Sequence, residues 1–246
     1  MLSRALVAMF SRKVVAEQVV FRGGTALHKL YFGAGGRYSE DIDLVQRDAG
    51  PIGLLIDTIR EALDSWLGNP SWEQGRGRFT LNYRFETSFA PISVRRLKIE
   101  INTREHFAVL GTDTRPFTVE NPWFTGTAEL CVYHLDELLG TKLRALYQRK
   151  KGRDLYDLWL ALGTSHANPD RVVECFRRYM DHDGAVVSRA EFEANLAAKL
   201  ASTAFLQDLR LLVSPEVGYD PARAAQVVKD ELIAKLPGLP WKGTEP

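Results

Sequence analysis

Cysteine is scarce in this chain, since only Cys131 and Cys175 occur among 246 residues. The two show no pairing pattern, and no metal-ligand spacing surrounds them. A fold held by disulfides and a zinc site of the usual spacing are therefore excluded. We expect a cytoplasmic protein whose two thiols are chemically inert.

Long hydrophobic runs are also missing. No apolar stretch approaches the roughly 18 residues that a membrane span needs, so we expect no association with a membrane. After Arg4 the N-terminal segment has only a short apolar stretch, which Ser11 and Lys13 interrupt. A secretory signal would need a longer apolar core and a cleavage site with small residues. We instead expect an amphipathic helix over residues 1–19.

An excess of charge of either sign is the third absence. Lys and Arg number 32 and Asp and Glu 31, so the net charge is +1 and no global field attracts nucleic acid or membranes. A local exception is residues 142–153, which contain six basic residues and no acid. These are Lys142, Arg144, Arg149, Lys150, Lys151 and Arg153. The segment predicts a surface for a triphosphate or an RNA backbone, and a solvated helix face is the alternative.

The order of elements predicts a mixed α/β region followed by a helical one. Ile42 and its neighbours predict a short strand, residues 52–67 a helix, and alternating polarity predicts strands over 78–89 and 92–103. Proline and glycine interrupt residues 105–125, for which no element is predicted. From Glu129 the pattern becomes helical, with helices at 134–150, 154–162, 170–180, 189–199, 203–212 and 221–235. We place the domain boundary near residue 127, which gives domains 1–127 and 128–246.

Asp41-Ile42-Asp43 is the first candidate for chemistry. In a strand, residues i and i+2 share a face, so both carboxylates project together. Two like charges held side by side need a cation or donors as compensation, and Mg²⁺ binds one or two carboxylates together with substrate phosphates. Glu100 lies on the polar face of a second predicted strand and is a possible third metal ligand. Pairing of Glu100 with Lys98 or Arg95 is the equally weighted alternative.

Gly23-Gly24-Thr25 precedes a predicted helix and is the second candidate. Two glycines let a ligand approach the backbone closely, and the first turn of a helix presents free N–H groups to an anion. Thr25 can cap that helix or donate to a phosphate. Lys29, one turn later, adds a cation, although a solvated helix lysine is the plainer interpretation.

Lys142 and Asp157 can serve one site only if the chain turns back between them. In one continuous helix the 15 residues that separate them would span about 22 Å. Gly152 can end the first helix as a C′ glycine, and Asp154 can begin the next as its N-cap. Asp157 then lies near Lys142, either as a general base or as the group that orients the lysine. The five histidines show neither metal spacing nor a nucleophile, and we expect them to be structural.

Four motifs in order resemble the AbiEii/AbiGii-like nucleotidyltransferase toxins of bacterial type IV toxin–antitoxin systems, which include the MenT toxins. The motifs are Gly23–Lys29, Arg37–Leu44 with its Asp pair and upstream Ser39, Lys142–Leu146, and Arg153–Leu158. The chain after residue 165 lies outside the resemblance. Glu100 lies outside these motifs, so its role as a metal ligand depends on the strand argument alone.

The resemblance implies an α+β nucleotidyltransferase fold, in which helices flank a small mixed sheet and the C-terminal half is helical. It also implies Mg²⁺-dependent transfer of a nucleoside monophosphate from an NTP to an acceptor. In MenT-like relatives the acceptor is the tRNA 3′ end, and the transfer stops translation. An antitoxin partner follows, as does silencing by phosphorylation in some relatives at the position of Ser39.

We therefore predict the following site. Asp41 and Asp43, with Glu100 as a possible bridge, bind Mg²⁺, and Asp41, Asp43, Lys142 and Asp157 form the catalytic set. Gly23, Gly24, Thr25, Lys29, Ser39 and Arg153 bind the NTP.

Two other functions remain open. The same site could transfer to a protein or small-molecule hydroxyl, which the nearly neutral net charge favours because tRNA binders usually have a basic surface. A catalytically silent nucleotide- or RNA-binding module of a toxin–antitoxin complex is the second. The intact pair of Asp41 and Asp43 speaks against such a module, since it has no need to hold two charges together.

Overall fold

The structure is a computed structural model that describes residues 1–33, 36–87, 91–164, 166–209, 212–213 and 217–243. The chain forms two compact units. The first, here called the sheet unit, contains Met1–Ala26 and Ser39–Tyr133. The second, the helical unit, contains Leu27–Tyr38 and His134–Pro246. Compact units are not necessarily domains that fold alone, so the predicted domains 1–127 and 128–246 stay a prediction.

Among the described residues, one mixed sheet of seven strands forms the centre of the sheet unit, in the order β3-β4-β5-β2-β1-β7-β6. Strand β2 pairs in parallel with β5 and antiparallel with β1, and β1 pairs in parallel with β7. The strands are β1 (Val19–Arg22), β2 (Asp41–Gln46), β3 (Ser71–Gly75), β4 (Arg78–Glu86), β5 (Val94–Asn102), β6 (Thr112–Asn121) and β7 (Phe124–Tyr133). The predicted mixed sheet is confirmed, and the predicted strand residues 88–89 lie outside the described ranges.

Helices cover one face of this sheet, and the other face carries the polar side chains of β2 and β5. The helices of the sheet unit are α1 (Leu2–Phe10), α2 (Lys13–Gln18) and α4 (Gly53–Leu67), and α3 (Gly23–Leu30) follows β1 directly. In β2 and β5, Ile42 and Ile99 are register partners and fully buried. Asp43 and Glu100 are register partners on the opposite face and are half-buried. The alternation therefore separates a packing face from a face that can do chemistry.

The helical unit consists of helices whose apolar sides pack on one another. They are α5 (Leu135–Gln148), α6 (Gly152–Thr164), α7 (Pro169–His182), α8 (Arg189–Leu200), α9 (Thr203–Gln207) and α10 (Pro221–Glu231), followed by a 3₁₀ turn at Ile233–Lys235. Its core includes the fully buried side chains of Tyr156, Tyr179 and Phe192. The predicted helical half is confirmed, and residues 210–211 of the predicted helix 203–212 lie outside the described part of the chain. Within the described ranges no helix could cross a membrane.

Two local predictions were wrong, and no element had been predicted over strands β3 and β6. The helix expected over residues 1–19 is interrupted, because the Ser11 hydroxyl donates to the Val7 carbonyl at 2.7 Å and Arg12 is extended. Residues 105–125 contain most of a long hairpin, β6–β7, which continues to Tyr133, beyond the expected onset of the helical pattern at Glu129. The proline in it, Pro116, lies in an edge strand, where a missing N–H is tolerated. Strand β3 was not predicted because all five of its residues are exposed and show no alternation.

Candidate active site

The turn from β1 into α3 brings the backbone against a carboxylate. Gly23 has a φ of 81°, a left-handed conformation that side chains other than glycine rarely adopt. A Cβ at this position would overlap Asp43 Oδ2 and lie 3.0 Å from Asp43 Cβ. Glycine at position 23 therefore serves both the turn and the approach of the Asp43 carboxylate.

Acidic side chains collect on the polar face of the sheet at the same level. Asp43 of β2 is the register partner of Arg22 in β1 and of Glu100 in β5. Burial raises the pKa of Asp43 above its usual range; Arg22 opposes this shift, whereas Asp41 and Glu100 add to it. A neighbouring cation stabilises the charged form of a carboxylate that is buried and close to other acidic groups.

The two aspartates and Glu100 differ in their partners. Glu100 Oε2 pairs with Lys98 Nζ at 2.8 Å, which is one of the two alternatives that the sequence left open. Within the described residues, no ion pair or side-chain hydrogen bond reaches the carboxylates of Asp41 and Asp43. Two carboxylates from one strand face without a direct ion-pair partner suit Mg²⁺, which takes its other ligands from water and substrate phosphates. A cluster of three or more metal-binding side chains is not found in the described ranges, so Glu100 as a third ligand stays a prediction.

Two hydroxyl groups connect α3 to the segment before β2. Thr25 Oγ1 donates to the backbone carbonyl of Asp41, and Thr25 Oγ1 lies 2.6 Å from Ser39 Oγ. Because the single proton of Thr25 is used on Asp41, the Ser39 hydroxyl is the donor in this pair. Ser39 is thus linked through Thr25 to the strand that carries the aspartates.

Lys142 is buried in the helical unit between two carboxylates. Its Nζ lies 3.1 Å from Asp154 Oδ1 and 3.1 Å from Asp157 Oδ2. Helix α5 ends at Gln148 and α6 begins at Gly152, so the predicted reversal of the chain is confirmed.

The expected roles of Gly152 and Asp154 at that reversal were wrong. Gly152 begins α6, and a Cβ there would overlap the backbone carbonyl of Phe205. Asp154 lies inside the first turn of α6 and receives two hydrogen bonds from Arg149, at 2.7 and 2.8 Å. Burial raises the pKa of Asp154, but Lys142 and Arg149 outweigh burial and hold that pKa below its usual range.

Asp157 is fully buried and is the centre of a dense polar cluster. Arg37 donates to both carboxylate oxygens at 2.8 Å, His28 Nε2 lies 2.8 Å from Oδ1, and Lys142 pairs with Oδ2. The Arg37 backbone N–H donates to His28 Nδ1 at 3.1 Å, so His28 carries its proton on Nε2 and donates it to Asp157. Burial raises the pKa of Asp157, but Lys142, His28 and Arg37 together hold it far below its usual range.

No spacing signal in the sequence connected His28 and Arg37 with Asp157. They lie 129 and 120 residues from it along the chain, and His28 was expected to be merely structural. Only the glycine at position 36 hints at the contact, because a Cβ there would overlap His28 Nδ1.

The basic segment 142–153 is largely compensated in the folded helical unit. Arg149 pairs with Asp154, Arg144 pairs with Asp183 at 3.4 Å, and Arg153 pairs with Asp208 at 3.4 Å. Asp208 also pairs with Lys151 at 3.6 Å. Among the described residues Lys150 makes no ion pair. The run of positive charge in the sequence is therefore not a run of free positive charge in the structure.

The predicted site residues are divided between the two units. The sheet unit contains Gly23, Gly24, Thr25, Ser39, Asp41, Asp43 and Glu100; the helical unit contains Lys29, Lys142, Arg153 and Asp157. Lys29 is exposed on α3, whereas Lys142 and Asp157 are buried.

A mixed sheet with an Asp-x-Asp pair beside a helix that begins with glycine defines a protein of the nucleotidyltransferase fold. The fold matches MenT4, a nucleotidyltransferase toxin from Mycobacterium tuberculosis, with a TM-score of 0.68 at 19% identity over 96% of this chain and 83% of that chain. It also matches JHP933 from Helicobacter pylori, with a TM-score of 0.54 at 19% identity over 95% of this chain and 91% of that chain. No protein with a curated description matches the sequence significantly.

The sequence profile of the nucleotidyl transferase AbiEii toxin, type IV toxin–antitoxin system, matches residues 4–228. The chain belongs to this AbiEii family and is a nucleotidyltransferase. The family resemblance, the fold class and the enzyme class predicted from the sequence are thereby confirmed. Membership implies an NTP as substrate and an antitoxin as partner.

Proposed function

We propose that this enzyme is a cytoplasmic toxin that transfers a nucleoside monophosphate from an NTP to the 3′ end of a tRNA and so blocks translation. The observation that supports the chemistry best is the pair Asp41 and Asp43, two neighbouring carboxylates that make no ion pair or side-chain hydrogen bond in the described chain, while burial and the nearby acids raise the pKa of Asp43. Holding such a pair together is unfavourable unless a cation joins it. A module that only bound RNA would gain nothing from holding two carboxylates together against their repulsion.

Asp41 and Asp43 would hold Mg²⁺, with Glu100 as a possible further ligand once it is released from Lys98. When bound, the metal would lower the pKa of the acceptor hydroxyl and stabilise the charge of the leaving pyrophosphate. Gly23 and Gly24 would keep the backbone close to the triphosphate, and the first N–H groups of α3, which have no partner within the helix, would donate to it.

Lys142 would neutralise charge on the triphosphate, together with Lys29 and Arg153. Of the two roles left open for Asp157, we infer orientation of Lys142. Asp157 is fully buried, accepts hydrogen bonds from His28 and Arg37, and has a pKa far below its usual range. A general base works best with a pKa near the operating pH, which this carboxylate does not have.

A protein or small-molecule hydroxyl is the second candidate acceptor, and one observation favours it. Most of the basic segment 142–153 is paired with acids, among them Asp154, Asp183 and Asp208. Less free positive charge is then available for an RNA backbone, whose neutralisation drives most RNA binding.

The experiment incubates purified protein with Mg²⁺, each α-labelled NTP in turn and total bacterial RNA. The variant Asp43→Asn is compared with Asp57→Asn, the same change at an exposed site on α4. We expect label in the tRNA band with one NTP, for the wild type and Asp57→Asn only. Label in protein would replace the acceptor but keep the chemistry. Full activity of Asp43→Asn would refute the metal site, and no label from folded, unphosphorylated wild type would favour the silent module.

A further inference from the structure

A cavity of about 240 Å³ opens in the sheet unit, on the face of the sheet that carries Asp43. Val20 and Val45 form part of its lining and are register partners in β1 and β2. Val45 follows Asp43 by two residues and therefore lies on the same face, with the two Cα atoms roughly 7 Å apart. The cavity thus begins at the register pair Val20–Val45, which is the next pair on this face after Arg22–Asp43.

The other lining residues combine apolar surface with polar groups of both signs. Phe107 and Tyr133 line the cavity, and the Tyr133 hydroxyl donates to the Phe107 carbonyl at 3.2 Å. Arg47 and Asp48, adjacent in sequence and both exposed, supply a donor and an acceptor. Glu105 also lines the cavity and pairs at 2.5 Å with Arg22, the register partner of Asp43. This ion pair therefore lies between the cavity and the aspartate.

The chemistry of the lining selects among ligands. Asp48 and Glu105 disfavour a phosphate, and the charged residues disfavour a hydrocarbon tail. A neutral planar group with apolar faces and with donors and acceptors on its edge satisfies the whole set. Nucleobases have these properties, and proteins bind them through aromatic faces and polar edges.

We propose that this cavity binds the nucleobase of a nucleotide whose reacting group lies at Asp41 and Asp43. The inference rests on the proposed transfer reaction, because that reaction brings a nucleotide to these aspartates. The distance between the cavity and Asp43 is suitable for one nucleotide. A base lies about as far from the phosphate or the 3′-hydroxyl of its own nucleotide as residue i lies from residue i+2 in a strand. The base belongs either to the donor NTP or to the last nucleotide of an RNA acceptor.

Ala108 is an exposed lining residue, so substitution there can fill the cavity without disturbing the core. The variant Ala108→Trp fills it, and Ala108→Ser at the same position leaves the space open. The first measurement titrates adenosine, guanosine, cytidine and uridine into each protein and follows binding by calorimetry. The second determines KM for each NTP and for the RNA acceptor, together with kcat. Circular dichroism and the thermal midpoint show that both variants are folded.

We expect at least one nucleoside to bind the wild type and Ala108→Ser, and to bind Ala108→Trp at least about tenfold more weakly. A KM that rises by about as much for the NTP alone assigns the base to the donor, and one that rises for the RNA alone assigns it to the acceptor. The absence of binding by all four nucleosides, or equal binding by both variants, overturns the proposal. Nucleoside binding without any transfer would retain this site and refute the transfer reaction, so the two failures are distinguishable.

Discussion

Replacing Gly23 with alanine tests the close approach of the β1–α3 turn to Asp43. An alanine with the φ of 81° found at Gly23 costs about 1–2 kcal/mol of stability. The added Cβ overlaps Asp43 Oδ2. To restore ordinary contact the carboxylate must move by roughly 1 Å, and a displacement of that size costs about 10²-fold in rate. We therefore expect Gly23→Ala to fold with a modest loss of stability and to lose about 99% of its transfer rate.

The control is Gly184→Ala in the helical unit, because Gly184 has the same left-handed backbone conformation as Gly23 but an added Cβ there overlaps no other atom. Gly184 has a φ of 74°, and an added Cβ meets nothing within 4 Å. Urea unfolding measures the free energy of unfolding of both variants, and incorporation of α-labelled NMP measures the rate. Both variants should lose a similar free energy of unfolding, and only Gly23→Ala should lose activity. Equal activity of the two variants would refute the argument that position 23 sets the place of the Asp43 carboxylate.

Three more predictions follow from buried or linked polar groups. Asp157→Asn removes the negative charge that compensates Lys142, and the free energy of unfolding at pH 7 in urea should fall by about 3–5 kcal/mol; an unchanged midpoint would contradict the cluster. Burial lowers the pKa of Lys199 from 10.5 to about 8, so the folded state loses this proton at a lower pH than the unfolded state does. The free energy of unfolding of the wild type should therefore rise between pH 8 and 10 relative to that of Lys199→Met. Parallel curves of unfolding free energy against pH for the two proteins would exclude the lowered pKa. Ser39→Asp adds a negative charge beside the strand that carries Asp41 and should reduce the rate of NMP transfer at least about tenfold. Ser39→Ala loses only one hydrogen bond, so its rate should stay within a few-fold of the wild-type rate. Equal rates for the two variants would show that charge at this position does not matter.

Local patterns in the sequence were sufficient for the parts of the fold and of the candidate site that depend on neighbours in the chain. Asp41 and Asp43 share a strand face because side chains alternate with a period of two, and Glu100 follows the same rule in β5. The reversal between α5 and α6 was predicted from Gly152 and Asp154, although both residues have other roles there than expected. These features depend on backbone geometry, which acts within a few residues.

The tertiary structure alone decided what those side chains meet. Asp157 reaches His28 and Arg37 from more than a hundred positions away, and no spacing rule connects such residues. Electrostatic compensation follows distance in space and not distance in sequence, so a segment with six basic residues and no acid became a set of ion pairs with acids such as Asp208. Likewise Pro116 could stand in a strand only because that strand is at the edge of the sheet, a position that the packing of the whole chain determines.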